Sequence, residues 1–117
     1  MKKINIYGIP NCDIIKKTLA WFKKNNINIE FHDYKTAGIA KEKLAGWIKK
    51  AGLDVILNKR STTWRELTVA EQQKITGTEQ AIKLMIENTS IIKRPVIEFG
   101  DKVFVGYDDA VLSKLFL

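Results

Sequence analysis

Within its first 33 residues the sequence changes hydrophobic period twice, and this constrains the fold more than any other feature. Ile4-Asn5-Ile6-Tyr7 alternates and is ended by Gly8 and Pro10, the pattern of a strand over 3–7 that runs into a turn. From Asp13 to Asn25 the apolar residues Ile15, Leu19 and Phe22, joined by Ile14, Thr18 and Trp21, recur at helical spacing beside Lys16, Lys17, Lys23 and Lys24. Asn25-Asn26 closes that helix. Ile27, Ile29 and Phe31 then alternate with Asn28, Glu30 and His32, which predicts a second strand. Strand, helix and strand within about thirty residues make a right-handed βαβ unit, whose two strands are parallel.

Between Ile39 and Glu87 the alternation disappears and helical signals replace it. Leu44 pairs with Ile48, Thr68 and Glu71 have the spacing of a capping box, and Ile82 pairs with Met85 and Ile86. After Pro95, Val96-Ile97-Glu98-Phe99 and Lys102-Val103-Phe104-Val105 flank Gly100-Asp101, a hairpin signal, and Asp108 can cap a last helix running to about Phe116. The order β-α-β, helices, β-β-α is that of an α/β chain with a thioredoxin-like fold. It implies a mixed four-stranded sheet with a helical insertion, about 39–90, between the βαβ and ββα halves. A chain of 117 residues has room for one core, so a single domain over 1–117 is expected.

Composition removes several function classes. No run approaches the ~18 apolar residues of a membrane span. Cys12 is the only cysteine and His32 the only histidine, so a Cys/His zinc cluster is excluded and no metal site is expected. The opening Met1-Lys2-Lys3 is basic, but Asn5 and Gly8 interrupt any secretory apolar region, so the chain reads as cytoplasmic, and Asn88-Thr89-Ser90 as a chance sequon. Lys and Arg total 20 against 13 Asp and Glu, a formal charge of +7. The lysine pairs 16/17, 23/24 and 49/50 fall on predicted helices as solvated faces, and no RNP pattern, GXXG loop or zinc finger accompanies them. Neither a specific nucleic-acid partner nor a membrane partner is expected.

Three side chains can carry chemistry. Cys12 lies between the first strand and the first helix, where free backbone N–H groups and the helix dipole favour a thiolate. Lys16 and Lys17, one turn on, add positive potential, while adjacent Asp13 opposes it. A free cysteine is also often a small buried hydrophobe, and position alone does not separate the two readings. Arg94 precedes Pro95 at a plausible cis bond, and Arg60 sits in the polar run Asn58-Lys59-Arg60-Ser61-Thr62-Thr63; guanidinium forks bind oxyanions bidentately. His32, Trp21, Trp47 and Trp64 are read as packing residues.

Tyr7-Gly8-Ile9-Pro10-Asn11-Cys12-Asp13 with Lys17, then Phe31-His32-Asp33-Tyr34, then Asn58 to Trp64, then Ile91-Ile92-Lys93-Arg94-Pro95 together resemble the ArsC/Spx/YffB family, nearest its YffB branch. The resemblance covers essentially the whole chain. It implies a thioredoxin fold with a helical insertion, an active-site cysteine at Cys12, anion- or thiol-binding arginines at Arg60 and Arg94, and a cis-proline at Pro95. In the arsenate-reducing members three arginines hold the oxyanion, and glutathione with glutaredoxin completes turnover. Here no Lys or Arg lies between Lys102 and Lys114, where the third arginine belongs. The Val105-Gly106-Tyr107 segment looks more like the Spx regulators, which bind RNA polymerase and sense oxidation through a Cys-x-x-Cys, but Ile15 stands at the second cysteine position.

The expectation is therefore a cytoplasmic, glutathione-linked thiol reductase. Cys12 attacks a mixed disulfide and external glutathione resolves the intermediate, since no second cysteine exists. Arg60 and Arg94 hold carboxylates or an oxyanion, while Asn11, Lys17 and the backbone at Pro95 bind substrate. Glutathione is a co-substrate, no cofactor is tightly bound, and glutaredoxin is a further expected partner. The alternatives are a non-enzymatic Spx-like regulator docking on RNA polymerase, a true arsenate reductase, and a basic nucleic-acid-binding module.

Overall fold

The computed structural model describes residues 3–117, so Met1 and Lys2 of the stretch inspected for a leader lie outside the described residues. The chain forms two compact units. One is built from the chain up to Asp33 and from Arg94 to Leu117, the other from Tyr34–Lys93.

The first unit carries the sheet. Strands β1 (Ile4–Gly8), β2 (Glu30–Asp33), β3 (Val96–Phe99) and β4 (Lys102–Val105) lie in the order β2-β1-β3-β4, with helices α1 (Asp13–Lys24) between β1 and β2 and α8 (Asp109–Phe116) at the C-terminal end. β1 runs parallel to β2 and antiparallel to β3, which is antiparallel to β4. This is the expected mixed four-stranded sheet of a thioredoxin-like fold.

Alternation decides which face is core. Ile4, Ile6 and Ile97 gather with Trp21 and Phe22 of α1 and Leu112 of α8 into one buried cluster. Phe116 meets Phe22 and Phe99 edge-on, at 5.4 and 5.2 Å between ring centroids. The intervening positions turn to the other face, where Asn5 Oδ1 lies 2.9 Å from His32 Nε2 and Tyr7 stacks on His32 at 4.4 Å. His32 thus has a local structural role, and all three tryptophans are buried.

Two strand boundaries differ from the sequence expectation. β2 pairs only from Glu30, not from Ile27. Asn26 turns through the left-handed region at φ 56, and Ile27 N–H donates to Phe22 O at 3.0 Å, so the chain is still completing the helix end. Ile27 and Ile29 pack against the core without joining the ladder, which accounts for their alternation. β1 extends one residue further, to Gly8, which pairs with Asp33. A Cβ on Gly8 would lie 2.3 Å from Ile15 Cδ1, so glycine allows α1 to pack close against the strand end.

The hairpin turns at Gly100, φ 62, as its sequence requires. Asp108 accepts from Val111 N–H at 3.2 Å and starts α8 as expected.

The second unit is helical. It contains α2 (Tyr34–Ala37), α3 (Lys41–Ala51), α4 (Leu53–Ile56), α5 (Thr62–Glu66), α6 (Val69–Gln73), α7 (Thr78–Glu87) and a 3₁₀ turn at Thr89–Ile91. Helix therefore begins earlier than the expected 39. Tyr34 is buried, and its hydroxyl donates to Ile92 O at 3.2 Å, tying the start of the unit to its end. A bridge between Leu57 and Ile92, with Asn58 N–H to Ile91 O and Lys93 N–H to Ile56 O, both at 2.8 Å, closes the segment. α3 packs on α7, burying Leu44, Trp47, Ile82 and Met85. The Thr68 and Glu71 capping box forms in both directions.

Candidate active site

Cys12 is half-buried and occupies the N-cap of α1 with extended backbone, φ −141 and ψ 129. Extended geometry is what an N-cap requires, because the chain enters the helix from the turn after β1. The Cys12 carbonyl accepts the first helical bond, from Lys16 N–H at 3.0 Å. Its side chain makes no directed cap bond, yet the Ile15 and Ile14 amides of the open first turn still favour the thiolate.

Arg94 arrives from the other end of the sequence. Its Nε donates to Cys12 Sγ at 3.3 Å, across 82 positions of chain. The Arg94-Pro95 peptide is cis, as anticipated at that position, and leads directly into β3 beside β1. Pro95 is buried, and its carbonyl accepts from Gly106 N–H at 2.9 Å.

The electrostatic outcome at sulfur is a balance. Burial pushes the Cys12 thiol up. Against it, the Arg94 hydrogen bond, the Ile15 and Ile14 amides and the charge of Arg94 together hold the thiol below its ordinary value. Lys16 and Lys17, read from the sequence as sources of positive potential, are not among the groups that shift it, and neither is Asp13. The cation that matters is Arg94, and its partner is the sulfur itself.

Asn11 is exposed in the bend before Cys12. Lys17 places its ammonium 5.1 Å from the centroid of the Tyr107 ring. That contact joins α1 to the segment after β4 and escaped sequence reading because 90 positions, with no local pattern, separate the two residues. Arg60 belongs to the second unit, exposed on the turn before α5, with its N–H donating to Asn58 Oδ1 at 3.1 Å. Among the described residues no three His, Cys, Asp or Glu side chains gather to hold a metal, and no helix is long and apolar enough to cross a membrane.

Residues 7–115 match the sequence model of the ArsC family. The chain belongs to the ArsC family. An uncharacterized protein of Haemophilus influenzae is 39% identical over 106 residues, covering 91% of this chain and 92% of that one. The solved structure of the YFFB protein superposes with a TM-score of 0.90 at 36% identity, over 98% of this chain and 100% of that one. The global transcriptional regulator Spx of Streptococcus agalactiae is 25% identical over 108 residues, 91% of this chain and 77% of that protein. The ArsC-family chain therefore has both YFFB-like and Spx relatives. In this chain the site's central geometry is one thiol with the Arg94 guanidinium bonded to it.

Proposed function

We propose that this protein is a glutathione-dependent thiol reductase in which Cys12 is the nucleophile. The observation that carries the reading is the 3.3 Å hydrogen bond from Arg94 Nε to Cys12 Sγ, in a setting that lowers the thiol pKa. The nucleophile in disulfide exchange is the thiolate, so a group that stabilises it at neutral pH raises the reactive fraction.

Two balanced exchanges make a turnover. The Cys12 thiolate attacks the glutathione sulfur of a mixed disulfide, forming a Cys12–glutathione disulfide and expelling the substrate thiolate. A second glutathione thiolate then attacks that same glutathione sulfur, releasing glutathione disulfide and regenerating the Cys12 thiolate. Each step breaks one S–S bond and forms one, with no net electron left over. The resolving thiol comes from outside because the chain has one cysteine. A reducing cytoplasm supplies it. Arg94 stabilises sulfur as attacking and as leaving group, while Asn11, next to Cys12 in sequence, and the backbone at Pro95, next to Arg94, are assigned to receive a peptide-like ligand. Arg60 enters from the family resemblance as a carboxylate partner, and glutaredoxin as a partner in turnover.

The Spx relatives support one alternative, a docking protein for RNA polymerase that uses the same fold without turnover. Steady-state reduction of a glutathione mixed disulfide separates the two. The reductase reading expects turnover that depends on glutathione and is lost in Cys12→Ser. Equal background rates with and without the wild-type protein contradict it.

A further inference from the structure

The sequence assigns Lys17 to substrate without saying which group it meets, and Tyr107 has no part in the chemistry above, yet both are tied to the site. Lys17 lies on the helix that Cys12 caps, five positions on and roughly 7.5 Å along the axis by the rise of an α-helix. Tyr107 follows Gly106, whose N–H is bonded to Pro95 O, and Pro95 follows Arg94. Gly106 makes the required turn in the left-handed region, at φ 92. The Tyr107 ring is half-buried against the core of the first unit, and the Lys17 ammonium stands 5.1 Å from its centroid, within cation–π range. A long, exposed lysine is thereby held at one place on the first unit.

Among the described residues no carboxylate pairs with the Lys17 ammonium. Asp108 Oδ1 accepts from Val111 N–H, and Asp109 Oδ1 accepts from Ser113 Oγ at 3.3 Å. Burial, followed by Asp109 and Asp108, pushes the Tyr107 phenol up, so the ring under Lys17 stays neutral at physiological pH. Arg94 is committed through Nε to the thiol sulfur. A ligand that places its own sulfur at Cys12 and carries two carboxylates therefore has a reason to engage a second cation of the first unit.

We infer that the Lys17 and Tyr107 pair is a carboxylate-binding locus for the reducing thiol, selecting an acidic peptide thiol over a neutral one. Tyr107 is the positioning residue and Lys17 the contact. This rests on the reductase reading for its ligand, but it is tested by binding alone.

The probe is S-methylglutathione, which binds without exchanging, compared with its glycyl ethyl ester, in which one carboxylate is masked. Dissociation constants come from NMR titration of wild type and of Lys17→Met and Tyr107→Leu. Wild type is expected to bind the acid about fivefold more tightly than the ester, the scale of an exposed charge pair. In Lys17→Met that ratio falls to about one while ester affinity is unchanged, and in Tyr107→Leu it falls part of the way because the lysine loses its platform. The Gly106 and Tyr107 signals shift with the acid in wild type. An acid-to-ester ratio that survives Lys17→Met overturns the inference, as does absence of binding to wild type. Turnover without the Lys17 effect defeats this inference and leaves the reductase reading intact; binding with the Lys17 effect but no turnover does the reverse.

Discussion

Arg94→Met tests the electrostatics of the site, because it keeps an unbranched stem while deleting both the hydrogen bond and the charge. Two of the influences that lower the Cys12 pKa belong to Arg94, and the largest single influence, burial, works against the thiolate. In the variant burial is opposed only by the first-turn amides of Ile15 and Ile14, so the midpoint moves up. A hydrogen bond to a charged group contributes roughly 1.5–3 kcal/mol, and partial exposure of both residues reduces this to about 1 kcal/mol. At a pH below the midpoint the thiolate fraction then falls about fivefold. Iodoacetamide alkylation followed against pH reads both quantities in one experiment: the midpoint rises, and the rate at neutral pH drops about fivefold. Arg94→Lys, which keeps a cation without the planar fork, is expected to fall between the two. An Arg94→Met profile that overlays wild type, with the fold intact by circular dichroism, refutes the assignment of Arg94 as the thiolate's partner.

Linkage gives a second expectation with a definite sign. The folded Cys12 pKa lies below the unfolded value, so the thiolate's stabilising contribution is fully present above the unfolded thiol value and is lost as pH falls through the folded one. The stability difference between wild type and Cys12→Ser, from urea melts, is therefore larger at about pH 9 than at about pH 6; a difference independent of pH contradicts it. Gly8→Ala forces a Cβ to within 2.3 Å of Ile15 Cδ1 and 2.9 Å of Cγ1, on a side chain with no exposed surface, and is expected to cost about 1–3 kcal/mol in the same melts. Thr68→Ala removes the hydroxyl that accepts from Glu71 N–H and is expected to cost about 1 kcal/mol, with no loss showing that the second unit tolerates an uncapped α6.

The parts of the fold visible in the sequence were those with local causes. The helix from Asp13, the capping box at Thr68, the Gly100 hairpin and the Asp108 cap each depend on residues a few positions apart, and each formed where expected. The start of the second strand did not. Alternation at Ile27 and Ile29 reports burial against the core, which a chain segment can achieve without ladder hydrogen bonds. The short helix at Tyr34 is accompanied by a hydrogen bond to Ile92 across 58 positions, a contact with no local pattern.

The candidate site divides the same way. Cys12 at a helix mouth was legible, because strand, turn and helix are consecutive. Its electrostatic partner was not: Lys16 and Lys17 are near in sequence, whereas Arg94 is brought in by the pairing of β3 with β1. Lys17 was singled out for substrate, and the ring beneath it emerged only from the fold.

Intact-mass analysis of the wild-type protein, mixed briefly with a glutathione mixed disulfide and quenched in acid, tests the central claim most directly. The account predicts one added glutathione, mapped to Cys12, that forms within the turnover time and disappears when free glutathione is supplied. Cys12 remaining unmodified under conditions that modify free cysteine in peptides would contradict it.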